Sequence, residues 1–155
     1  MLRDGRNKPT PRWKRDRSAS FILVPIKLSS KSRNIGGVTR VYNSLPPEQR
    51  SRTAIFENNY GEAGAIDFFG ARYGLPKAIS AHQNYYLWGP RDYKGEDIIL
   101  LQWNRARAER YCNSVEEAGT NEHPLAMEDE HYRIFICHEL KRPLSEVWPE
   151  LKHWN

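Results

Sequence analysis

Apolar and polar positions along the chain fall into two regimes that divide near residue 35. Before it, Arg, Lys, Pro and Ser dominate and large apolar side chains are sparse. Residues 1–34 therefore cannot bury enough surface to offset the entropy of ordering, and they read as a disordered basic arm. Within it, Phe21-Ile22-Leu23-Val24 could form a short strand or an anchor, and four residues do not choose between them. Beyond Gly36 the texture changes. Val38, Val41, Tyr42 and Leu45 recur at three- and four-residue spacing, which predicts a short helix stopped by Pro46 and Pro47. Thr53 to Phe56 reads as a buried strand, followed by the turn residues Asn58, Asn59 and Gly61. Glu62, three residues after Asn59, approximates a capping box for a helix through Ala63, Ile66, Phe69 and Tyr73, and Gly74-Leu75-Pro76 stops it. Lys77 to Ser80 predicts a second strand, giving a right-handed parallel βαβ unit.

An aromatic loop from His82 to Tyr93 precedes a strand at Asp97 to Trp103. The unbroken apolar run Ile98 to Leu101 predicts a central strand covered on both faces. Asn104 opens a helix expected to run through Ala106, Ala108, Tyr111 and Val115, with an edge strand at Ala118 to Glu122. His131 to Cys137 reads as the last strand, and Pro143 to His153 as a helix with Leu144, Val147, Trp148 and Leu151 on one face. Residues 35–155 thus predict an α/β domain, a three-layer sandwich around a mostly parallel sheet of four or five strands.

Charge alters this picture little. The chain of 155 residues carries net +5, but residues 1–40 hold eleven Lys and Arg against two Asp, a balance of +9, and the rest balances at −4. The excess belongs to the arm, not to a binding face of the domain, and with only Trp13 and Phe21 as aromatics the arm gives little support to specific nucleic-acid recognition. Cys112 and Cys137, 25 residues apart, match no common zinc or redox spacing and read as ordinary core residues in preference to a disulfide. No apolar run approaches the roughly 20 residues of a transmembrane helix, and no signal peptide is evident, so the chain as it stands reads as cytoplasmic. His123, His131 and His138 lie near Glu128, Asp129 and Glu130 without HxxxH or HExxH spacing, so neither a metal nor a cofactor is expected.

Two segments carry candidate chemistry. Asn58-Asn59-Tyr60-Gly61-Glu62 forms the strand-to-helix turn where α/β sheets present ligands, but it lacks GxGxxG and GK[ST], and Glu62 would repel phosphate. The plain alternative is that Asn59 caps a helix and the glycines permit close packing. His82, Gln83, Asn84, Tyr85, Tyr86, Leu87, Trp88, Gly89, Pro90 and Arg91 combine amides with flat aromatics. That combination suits the hydroxyls and C–H faces of a sugar, and it equally suits a packed loop. The two segments are expected to lie side by side. His82 has no partner carboxylate at telling spacing, and a lone histidine is more often structural than catalytic.

Val41 to Asn155 is also recognisable as a whole. VYNSLPPEQR, TAIFENNYGEAGAIDFFGARYGLPKAISAHQNYYLWGPRDY and PLSEVWPELKHW resemble the C-terminal soluble domain of bacterial membrane glycosyltransferases of the dolichyl-phosphate-mannose-type protein mannosyltransferase superfamily, glycosyltransferase family 39. In that family a membrane domain binds a polyprenyl-phosphate sugar and acidic residues of its first extracytoplasmic loop act in catalysis; this chain has no counterpart to either. The resemblance implies a non-catalytic α/β module, a truncated product or separately encoded copy. Its partners would be a glycan, a polyprenyl-linked sugar headgroup or a membrane-spanning transferase, and in the relatives the domain lies on the extracytoplasmic side. The carry-over reaches Asn58, Asn59, Tyr60, Gly61, Glu62 and His82 to Arg91, while Ser80-Ala81 stands where such sequences often have Ser-Gly. An enzyme acting on sugars in its own right is the alternative, against which no carboxylate pair is evident from spacing. A basic-arm protein contacting nucleic acid or an anionic membrane is a third.

Overall fold

The computed structural model describes residues 35–122 and 131–154; the arm, with Phe21 to Val24, and His123 with Glu128 to Glu130 lie outside the described residues. Helix α1, Ile35–Ser44, is followed by the short α2, Pro47–Arg50, and strand β1, Thr53–Glu57. Helix α3, Tyr60–Phe69, opens on Asn59, whose Oδ1 accepts from the Gly61 N–H at 2.7 Å. It tightens into a 3₁₀ turn, Gly70–Tyr73, that ends at Gly74 with φ +73°, a value glycine adopts without strain.

The segment Lys77 to Ser80 does not become a full strand. Only Ile79 bridges Phe56, in parallel, on the side of β1 away from the other strands. A 3₁₀ segment, Gln83–Trp88, then leads to β2, Asp97–Leu101, whose five residues are all buried as the apolar run requires. Helix α4, Arg105–Tyr111, ends four residues short of Val115, and β3, Cys112–Asn121, follows directly. The spacing of Ala108, Tyr111 and Val115 suits a helix, but Val115 pairs with Cys137 of β4, Tyr132–Leu140, so strand pairing overrides the local period. Helix α5, Leu144–Leu151, completes the domain.

The sheet runs β1-β2-β4-β3 and is mixed, not mostly parallel: β1 and β2 pair in parallel, whereas β4 is antiparallel to both β2 and β3. Burial explains the order. Ile134 to Cys137 are buried on both faces and take the interior position, while β3, with five of its ten residues exposed and only two buried, takes the edge. Alternation along the strands divides the core in two. Ile55, Ile99, Leu101, Ile134 and Ile136 pack with Val38 and Val41 of α1 and with Ala63 and Ile66 of α3. Ala54, Phe56, Ile98, Leu100 and Phe135 pack with Ala108 of α4 and with Leu144, Val147, Trp148 and Leu151 of α5.

Cys112 and Cys137 are buried, and, contrary to the sequence reading, they form a disulfide. The direct passage from α4 into β3 sets the two Cα atoms 5.5 Å apart, a contact that sequence spacing does not reveal. Among the described residues no helix is long and apolar enough to cross a membrane.

Candidate functional site

The parallel pair β1 and β2 ends its strands side by side, and the chain leaves each through a polar turn. Asn58, Asn59 and Glu62 come from the first turn and Gln102, Trp103 and Asn104 from the second; Tyr132, at the start of antiparallel β4, arrives at the same edge. Together they line an open groove of about 440 Å³, outside the carboxyl ends of the strands where α/β sheets present ligands.

Three of its amides are oriented by bonds behind the groove. Asn58 Oδ1 accepts from Arg107 Nη1 at 2.9 Å, Asn59 Oδ1 from the Gly61 N–H at 2.7 Å, and Asn104 Oδ1 from the Arg107 N–H at 2.8 Å. With each Oδ1 accepting from the protein, the Nδ2 group is the donor each amide has for a ligand, and Glu62 lines the same groove. Arg107 is half-buried with its guanidinium 4.0 Å over the Trp103 ring. Gln102 holds φ +60°, a left-handed conformation that a non-glycine residue adopts at a cost.

Beneath the groove lies Glu57, 1% exposed, whose carboxylate accepts from the Asn58 N–H at 3.0 Å. Burial, and then the charge of Glu62, hold its carboxyl well above the usual carboxylate range, against the opposing pull of the Asn58 and Asn59 amides. A carboxyl this enclosed cannot touch a bound molecule.

The second sequence segment does not line the groove. It braces the first. His82 is buried, accepts the Tyr60 N–H on Nδ1, and stacks on His153 with ring centroids 4.5 Å apart. His153 in turn holds the Asn58 carbonyl through Nε2 at 2.9 Å. Burial, then His153, lowers the His82 pKa below its ordinary 6.5. Gln83 stands at φ +50° and donates its N–H to the His153 carbonyl. The Tyr85 hydroxyl donates to Asp67 of α3, and its pKa is pushed up to about 12 by burial and by that carboxylate. Arg91 reaches the same Asp67 and the Ala78 carbonyl. Asn84 and Trp88 face outward, and Trp88 leans edge-on against Tyr85.

Tyr60 and His82 are thus adjacent, with rings 5.1 Å apart, but the two segments have different tasks. Asn104 stands out in the sequence only as a helix opener, and Gln102 and Tyr132 do not stand out; the polar pair flanking Trp103 after an apolar strand is the signal for the first two, and none marks Tyr132. His138 bridges Asp97 and Glu116 at the far end of β2. A larger cavity of about 560 Å³ at that end is lined by Arg91, Lys94, Lys141 and Arg142 together with Glu96 and Glu139. Three of these cations are already held, by Asp67, the Glu109 carbonyl and Glu150 respectively for Arg91, Lys141 and Arg142. No family model, curated protein or solved structure matches the chain in comparison.

Proposed function

We propose that this is a non-catalytic carbohydrate-binding module, related to the C-terminal domain of polyprenyl-phosphate-sugar-dependent membrane glycosyltransferases, that holds a glycan in the groove between Asn58 and Asn104. The observation that carries the reading is the convergence of three asparagines whose Oδ1 atoms are tied back to the protein. Fixed NH₂ donors match the oxygens of vicinal hydroxyls, each of which accepts a hydrogen bond. Tyr132, half-buried at the rim, offers the aromatic surface. The enclosure of Glu57 argues against acid catalysis here, since proton transfer needs hydrogen-bond reach.

The helix, sheet and helix layering expected from the order of elements accords with the two apolar clusters on opposite sheet faces. The Cys112–Cys137 bond favours an oxidising compartment over the cytoplasmic reading of the bare sequence, because such bonds persist outside the cytosol. A membrane-spanning transferase remains the natural partner on this view.

The test is titration of isotope-labelled protein with neutral sugars and with a polyprenyl-phosphate sugar, read by chemical shift. Millimolar binding, about −4 kcal/mol, is expected to move the side-chain amides of Asn58, Asn59 and Asn104, and Asn58→Ala is expected to abolish the response without unfolding. Silence of those amides toward every sugar refutes the binding reading, and turnover of the lipid-linked sugar refutes the non-catalytic one.

A further inference from the structure

A second surface lies beside the groove, and it is apolar. Phe68 is 75% exposed, Leu87 70%, Trp88 59% and Tyr60 46%. Tyr60 and Phe68 stand two turns apart on α3, which puts them on one helix face. The Gln83–Trp88 segment packs along that helix: the Tyr85 hydroxyl reaches Asp67, next to Phe68, and Trp88 rests on the Tyr85 ring at 4.5 Å. Large apolar side chains clustered and exposed in this way mark an interaction surface.

Charge identifies what it meets. Between residues 60 and 91 the acidic residues are Glu62, which lines the groove, and Asp67, against Arg72, Lys77 and Arg91. The Asp67 carboxylate is turned inward, taking the Ala78 N–H at 2.7 Å, the Tyr85 hydroxyl at 3.1 Å and Arg91 at 3.3 Å. Lys77 is exposed and donates to the Asp67 carbonyl, and Arg72 sits over Phe69, whose ring touches Phe68. Beside Phe68, Leu87 and Trp88 the patch thus carries Arg72 and the exposed Lys77, with the Asp67 carboxylate engaged within the protein, although residues beyond 40 balance at −4.

We propose that the outer face of α3 and the Gln83–Trp88 segment seat this domain on an anionic lipid bilayer. Trp, Tyr, Phe and Leu fringed by Lys and Arg suit the headgroup boundary, where rings bury and cations meet lipid phosphates. The acidic remainder is repelled by the same bilayer, so one orientation is selected. This assignment does not depend on what the groove binds.

The experiment is vesicle co-sedimentation of the full chain with phosphatidylcholine alone and with added phosphatidylglycerol, at physiological and at high salt. Binding to the anionic vesicles is expected, with Trp88 fluorescence quenched by brominated acyl chains and that quenching absent in Trp88→Phe. Phe68→Ser with Leu87→Ser is expected to weaken binding by at least about tenfold while leaving the melting temperature unchanged, since both side chains face outward. Should that pair unfold the domain, Arg72→Glu with Lys77→Glu serves instead, with the same expectation. Undiminished binding by these variants, lost at high salt, assigns the attraction to the basic arm and overturns the proposal. Failure to bind vesicles, together with a dimer that the serine variant dissolves, overturns it in favour of a second copy of the chain.

Discussion

The Tyr60 backbone N–H donates to Nδ1 of His82 at 3.3 Å, joining the first turn of α3 to a segment 22 residues further on. Because Nδ1 accepts, the neutral ring carries its proton on Nε2. Protonating Nδ1 would break this bond, add charge at a buried site and set it against the stacked His153 ring.

This relationship sets the acid sensitivity of the domain. The folded His82 pKa lies below 6.5, so the unfolded chain takes up the proton first and stability rises with pH. The contribution is complete above about pH 6.5 and is lost as pH falls below it. Urea midpoints between pH 7.5 and 5 are expected to fall for the wild type and to fall less for His82→Gln. Identical slopes would show that the ring does not titrate against the fold.

His138 carries the opposite sign. Burial lowers its pKa, but hydrogen bonds to Asp97 at 2.8 Å and Glu116 at 3.1 Å outweigh that and leave it raised above 6.5. Its stabilisation is present below about pH 6.5 and disappears as pH climbs through the raised folded value. With the ring about a third exposed the effect should stay below about 1 kcal/mol. His138→Gln is expected to cost more stability at pH 6 than at pH 8; an equal cost at both would make the contact one of packing alone.

Reduction of the disulfide should be plainly measurable. Closing a loop between positions 25 residues apart restricts the unfolded chain by about 3 kcal/mol on the chain-entropy model. The Cys112→Ala, Cys137→Ala variant is expected to show that loss in urea unfolding, matching wild type under reductant. A loss below about 1 kcal/mol would mean that the bond adds little to the packing of β3 and β4.

Gln102 separates stability from binding. Its φ of +60° suits glycine. Gln102→Gly is expected to leave stability unchanged or raise it by up to about 1 kcal/mol while weakening the sugar response of the groove. A loss beyond that size would show that the Gln102 side chain supports the fold.

The sequence by itself determined the elements that local chemistry dictates. Asn59 caps α3 as its side-chain chemistry allows, Gly74 takes the positive φ that ends the following turn, and the unbroken Ile98 to Leu101 run lies in the sheet interior. Tertiary structure decided what depends on partners distant in sequence. Val115 leaves the helix because Cys137 lies opposite it, and Ile79 contributes a single bridge and not a strand. β4 inserts between β2 and β3 and makes the sheet mixed, because its apolar residues need cover on both faces. The groove followed the same division: Asn58 and Asn59 stood out as a turn, but Asn104 and Tyr132 join them only because parallel β1 and β2, with antiparallel β4, bring three chain crossings to one edge. Register and strand order are set by burial summed over the whole domain, and no window of neighbouring residues contains that sum.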